Sequence, residues 1–142
     1  MMITILDPAL LNYNSYAQRY ETSLSFDGHA VKIIAYYSQE GIKDEVNRAL
    51  SEKVLRVLNL NEAVLTFCSA QLLATKNESW LEDEQAPFNE AQFKRAFHLY
   101  QIEYYLNEEI TLFYQVGDLF WGHSVVVGLN SDYTFKYATL EG

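Results

Sequence analysis

The run YETSLSFDGHAVKIIAYY, Tyr20 to Tyr37, limits the possible folds more than any other stretch of this chain. Leu24 and Phe26 alternate with Ser23 and Ser25, the two-residue period of a half-buried strand. Asp27-Gly28 comes next, and a glycine there accepts positive φ without steric cost, which makes the pair a hairpin signal. The next residues, VKIIAYY, are β-branched and aromatic. Two antiparallel strands are expected, and a lone hairpin is too small to be stable without further packing.

Beyond the hairpin the period changes. From Lys43 to Leu58, Val46, Ala49, Leu50, Val54, Val57 and Leu58 recur at three- and four-residue steps, so they share one face of an amphipathic helix. Asn61 precedes an apolar run and reads as the N-cap of a second helix from about Glu62 to Lys76. Ala63, Val64, Leu65, Phe67, Cys68, Ala70, Leu72 and Leu73 make that helix apolar on most sides, as a central buried helix would be. NESWLEDEQAP, Asn77 to Pro87, is a loop and the most acidic segment. Asn89 can cap a short helix, NEAQFKRAF. From His98 the two-residue period returns: HLYQIEYYL, ITLFYQV, HSVVVGL and DYTFKYATL read as strands, with Asn130-Ser131-Asp132 turning between the last two. Strands segregated from helices indicate an α+β fold: an N-terminal β-hairpin, two to three helices, then a C-terminal antiparallel β-meander, the helices packed on one face of the sheet.

The 142 residues suit a single domain, 1–142, with a sizeable core. Aromatic residues make up 15%, too many for a disordered chain. MMITILDPALLNY lacks the basic start and long apolar centre of a secretory signal, and no apolar run reaches membrane-spanning length. A single cysteine, Cys68, excludes an internal disulfide and suits a reducing cytoplasm. The net charge of −9 disfavours direct binding to nucleic acid or anionic lipid, which require clustered cations. An acidic surface instead speeds encounter with a basic protein.

The chemistry-bearing motifs are few. There is no GxxxxGK[ST], and no GxGxxG opens a helix after a strand, so no nucleotide cofactor is implied. His29, His98 and His123 are far apart, and no HxH, HExxH or CxxC occurs, so no metal is expected. The densest patch is GDLFWGHSVVVG, Gly117 to Gly128. Asp118, His123 and Ser124 are the residue types of a nucleophilic triad, but neighbours on a strand point to opposite faces, which separates His123 from Ser124. An Asp118–His123 acid–base pair is the remaining catalytic alternative. The structural reading is a corner in which Phe120 and Trp121 bury apolar area, Gly122 allows close approach, and His123 bonds a backbone carbonyl or Asp118. Tyr104 and Tyr105 cannot both face the core, so one of them is displayed.

Three segments, NESWLEDEQAPFNEAQFKRAFHL, GDLFWGHSVVV and the terminal ATLEG, together resemble a bacterial domain family of unknown function. Its pattern is Asn-x-x-Trp-Leu, a short helix, a hairpin, Asp-x-Phe-Trp-Gly-His, and a final small-residue strand ending in glycine. The resemblance covers most of the second half. It implies a small α+β bacterial cytoplasmic protein and brings no established activity. Its signature positions are Asn77, Trp80, Asp118, Phe120, Trp121, Gly122, His123 and Gly142, a framework in the first instance. The family turn after the signature strand usually contains glycine, and this chain has Asn130-Ser131-Asp132 there.

These observations lead to the expectation of a non-catalytic cytoplasmic binding protein, most concretely an immunity protein of a contact-dependent or polymorphic toxin system. Its partner would be a basic, nuclease-type toxin domain, held by direct contact. The expected contacts are Glu78, Glu82, Asp83, Glu84, Glu108 and Glu109, with Tyr104 as aromatic anchor. The alternatives are a small enzyme using Asp118 and His123, or a housekeeping protein.

Overall fold

The computed structural model describes residues 6–142. Strands β1 (Asn12–Asn14), β2 (Arg19–Phe26) and β3 (His29–Ala35) come first, followed by helices α1 (Lys43–Asn59), α2 (Asn61–Ser79) and α3 (Glu90–Arg95). Strands β4 (His98–Tyr104), β5 (Ile110–Gln115), β6 (Ser124–Leu129) and β7 (Phe135–Glu141) complete the chain. All seven strands form one sheet in sequence order. Every neighbouring pair is antiparallel except β3 and β4, which run parallel with Ile33 opposite Ile102. A parallel pair cannot be joined by a tight turn. The three helices lie within the connection that this pairing demands. Among the described residues no single helix is long and apolar enough to cross a membrane.

The expected hairpin is β2–β3, and Asp27 and Gly28 both have positive φ (51° and 77°), the backbone of a tight two-residue hairpin turn. The meander is β4 to β7. Asn89 caps α3 with a reciprocal box: its side chain accepts from the Gln92 N–H while Gln92 accepts from the Asn89 N–H. Asn61, expected as a cap, is instead the first residue of α2. Leu60 alone separates the two helices in near-helical backbone (φ −90°, ψ 0°), so no extended cap residue exists. The Asn61 carboxamide oxygen instead accepts from the buried Tyr114 hydroxyl at 2.7 Å, joining α2 to β5.

Helix α2 is also less enclosed than its composition suggests. Val64, Leu65, Cys68, Ser69, Leu72 and Lys76 form its buried stripe, while Ala63, Ala70 and Ala74 face water. Burial pushes the Cys68 thiol up to about 12, leaving it protonated and unreactive. Lys76 ends the stripe almost wholly buried. Its ammonium donates to the Trp80 carbonyl at 2.6 Å and lies 5.1 Å from the Phe88 ring centre, which ties the helix end to the loop beyond it.

Alternation along the strands separates two faces. Val31, Ile33 and Ala35 of β3, Ile102 and Tyr104 of β4, Leu112 and Tyr114 of β5, and Val125 and Val127 of β6 join Leu50, Val54, Val64 and Cys68 in one core cluster. Ile34 and Val126, of the opposite parity, are buried too but stand outside that cluster. They mark a second face of the sheet.

The Tyr114–Asn61 bond predicts the effect of one mutation. Tyr114→Phe leaves the Asn61 acceptor without its partner and should lower unfolding stability by about 1 kcal/mol. Urea denaturation checks this, and an unchanged midpoint would show that the bond contributes nothing.

Candidate functional site

Two assemblies collect the chemistry of this chain. The first is an aromatic latch built on Trp80, the residue just past the end of α2. Its ring meets Phe120 at 5.6 Å, Trp121 at 4.9 Å and His123 at 5.4 Å between ring centres, all edge-on. Asn77 pins the following loop by a paired contact, donating to the Phe88 carbonyl at 3.0 Å and accepting the Phe88 N–H at 2.8 Å. The corner from Val116 to His123 is a chain of turns, with Gly117, Trp121 and Gly122 at φ 56°, 54° and 90°. The Phe120 carbonyl accepts from His123 Nδ1 at 2.8 Å. The other side of the imidazole lies against Gly142, where a Cβ would collide with the ring. Asp118 is exposed, and among the described residues it makes no hydrogen bond to His123. Ser124 pairs with Glu141 and lines a groove on the second face, so it does not approach the His123 ring as a triad serine would.

Trp121 is the exception within the latch. It is 56% exposed and held in left-handed backbone, which costs a non-glycine residue about 1 kcal/mol or more. No group of three His, Cys, Asp or Glu side chains among the described residues could hold a metal ion.

The second assembly lies on the second face of the sheet, and its centre is Glu103 of β4. This carboxylate is only 8% exposed, and three donors converge on it. Tyr36 and Tyr105 donate to Oε1 at 3.1 and 2.9 Å, and Gln101 donates to Oε2 at 2.6 Å. Such hydrogen bonding is what a buried charge requires. The two tyrosine rings stack at 5.0 Å, tilted by 14°. From Tyr36 the network continues outward: Arg19 donates to the Tyr36 oxygen at 3.2 Å and to Glu21 at 2.6 Å, and Asn14 donates to Glu21 at 3.1 Å. The Arg19 hydrogen bond holds the Glu21 carboxyl below its usual range. Burial, followed by the hydrogen bond and charge of Glu103, pushes the Tyr105 phenol up to about 12; burial and Glu103 also raise Tyr36. Both phenols therefore remain donors at neutral pH.

Beside this network runs a groove of about 410 Å³ lined by Tyr100, Tyr105, Thr111, Phe113, Ser124, Val126, Tyr137, Glu141 and Gly142. Tyr137 lies flat over Gly128, whose missing side chain makes room for the ring. Two larger or comparable hollows lie elsewhere. One of about 800 Å³ is lined by polar ends of α2, α3 and β4, and one of about 380 Å³ lies between Lys76, Glu82, His98 and Asp118.

The expected partner contacts do not form one patch. Glu78, Glu82, Asp83 and Glu84 are all exposed, and Glu82 lines the hollow beside His98, where β4 begins. Glu108 and Glu109 lie in the turn after β4, at its other end; Glu109 pairs with Lys136 at 3.3 Å, and its carbonyl accepts from the Tyr105 N–H. Tyr104, the expected anchor, is 2% exposed and belongs to the core, whereas Tyr105 is displayed at 36%. The cause is a β-bulge between Leu99 and Gln101, which shifts the parity of everything after it. Glu103, Tyr36 and Arg19 are not among the expected site residues. The available signal is Gln101-x-Glu103-x-Tyr105, three polar-headed residues of one parity in a strand whose other parity is apolar.

A family described as an uncharacterized protein conserved in bacteria (DUF2262) matches residues 8–140. The chain belongs to this family. The DUF2262 match spans both the hairpin and the meander, so it takes in both assemblies apart from Gly142. No curated protein and no solved structure matches the chain.

The Tyr105 phenol gives a pH test with a defined sign. Its folded value lies above the ordinary ~10, so the protonated phenol contributes fully below about pH 10 and loses that contribution as pH rises through about 12. Glu103→Gln should bring Tyr105 down without reaching the ordinary value, because burial is the larger cause and persists. Assigned tyrosine Cζ shifts followed by NMR across alkaline pH measure this. An unchanged Tyr105 midpoint in the variant would contradict the assigned contact.

Proposed function

We propose that this DUF2262 domain is a non-catalytic binding protein, and specifically an immunity protein that neutralises a basic, nuclease-type toxin domain by direct contact in the cytoplasm. The observation that carries the reading is the second face of the sheet. There an ordered carboxylate–tyrosine network is preassembled beside exposed aromatic rings, on a chain of net charge −9. Rigid aromatic side chains beside charge are what protein interfaces use as anchors. Preassembly lowers the entropy cost of docking. The exposed carboxylates at the two ends of β4, Glu82, Asp83 and Glu84 at one and Glu108 at the other, supply long-range steering toward a cationic surface. An enzyme built on Asp118 and His123 has less support, since the His123 Nδ1 atom is engaged by backbone and Asp118 does not reach it.

The test is co-expression with basic nuclease-type toxin domains, starting with the C-terminal domain of any large secreted protein that a neighbouring upstream reading frame proves to encode. Growth rescue together with a stable complex of the purified pair is the expected result, and neither rescue nor complex would overturn the reading. Within that complex, changing Glu82, Asp83 and Glu84 together to lysine should slow association and flatten its dependence on salt. Tyr105→Ala should mainly speed dissociation. Unchanged rates in the lysine variant would remove the 80–89 loop from the encounter.

A further inference from the structure

The groove over β4 to β7 has a composition that selects for a particular ligand chemistry. Four of its walls are aromatic: Tyr100, Tyr105, Phe113 and Tyr137. Glu141 is the acidic side chain among the residues that line it, and Glu103, outside the lining, accepts the Tyr105 hydroxyl. Among the described residues that line it there is no lysine or arginine. An aromatic hollow with a carboxylate in its wall and no cation there attracts positive charge, through the ring faces and through Coulomb attraction together. A volume of about 410 Å³ is within the range of specific small-ligand sites, about 300–1,000 Å³.

We propose that this groove receives a guanidinium group, the side chain of an arginine presented by the basic partner. The proposal rests on the binding-protein reading above and names the group that the domain recognises. Arginine fits better than lysine because its planar, weakly hydrated head stacks on aromatic faces and forks onto carboxylates, whereas an ammonium is compact and strongly hydrated. The walls are fixed before any ligand arrives. Tyr105 is held by Glu103 and stacked on Tyr36, and Tyr100 leans on Phe113 at 6.2 Å. Tyr137 is laid flat by the missing side chain at Gly128. Tyr137 is nevertheless 41% exposed, and Tyr105 36%, so both rings have surface left to cover. Among the described strands the arginine and lysines are Arg19, Lys32 and Lys136; the first two are engaged with Glu21 and the third with Glu109, and none of them lines the groove.

The experiment uses the full chain, isotope-labelled, titrated with N-acetyl-arginine amide and observed by NMR. The citrulline and lysine counterparts serve as neutral and ammonium controls. The arginine probe should bind at roughly millimolar affinity and shift the signals of Tyr105, Ser124, Tyr137 and Glu141, with the lysine probe weaker and the citrulline probe silent. Glu141→Gln, a surface change, should weaken the arginine probe roughly 2–5-fold. Gly128→Ala drives the Tyr137 ring off the backbone and should abolish the shifts while the remaining spectrum stays folded. No shift with the arginine probe, or an equal shift with citrulline, overturns the proposal. The two readings fail separately. Arginine binding by a domain that ignores the toxin would remove the immunity reading and keep the groove. Toxin binding undiminished by Tyr137→Ala and Gly128→Ala would remove the groove from the interface and keep the immunity reading.

Discussion

The parallel contact between β3 and β4 holds the rest of the structure in place. Without it, the N-terminal hairpin and the C-terminal meander would be two small sheets, each with an exposed edge. With it, seven strands share one ladder, and the Tyr36 N–H, just past the end of β3, extends the pairing by donating to the Tyr104 carbonyl at 2.9 Å. The connection from residue 36 to 97 is long because a parallel crossover must be, and it carries all three helices.

The same junction creates the second face. Tyr36 comes from the hairpin side, and Glu103, Gln101 and Tyr105 come from the meander. A carboxylate that is nine-tenths buried is tolerable only with its lone pairs occupied. Glu103 obtains one of its three donors from across the junction. The polar network and the strand pairing therefore support each other: slipping β3 by one residue would withdraw Tyr36 and send Ile34 and Ile33 to the wrong sides. The latch has a different task. Trp80, Phe120 and His123 join the end of α2 to the β5–β6 corner and to Gly142 beyond the last strand.

Much of this fold is legible in the chain because strand and helix periods are local properties. The Asp27-Gly28 hairpin, the amphipathic α1, the Asn89 cap and the four meander strands each arise from neighbouring residues. β1 escapes because Asn12-Tyr13-Asn14 is too short and polar to show a period. The β3–β4 pairing escapes because its partners are far apart in sequence and nothing local records which strands will meet. Tyr104 stands in for Tyr105 in the sequence reading because strict alternation cannot reveal a bulge, and the one between Leu99 and Gln101 decides which tyrosine is displayed. The second face is hidden for the same two reasons together: its central carboxylate lies beyond the bulge, and its most distant donor lies across the unforeseen junction.

Hairpin and meander form one sheet, and its second face is held by Tyr36 and Tyr105 around Glu103. Nuclear Overhauser contacts between the ring protons of Tyr36 and Tyr105 measure that arrangement directly in solution. With ring centres 5.0 Å apart, strong cross-peaks between the two side chains should appear, together with slow hydrogen exchange at the Tyr36 amide. Absent cross-peaks and a freely exchanging Tyr36 amide would mean that the two halves do not share this face, and the site built on it would not exist.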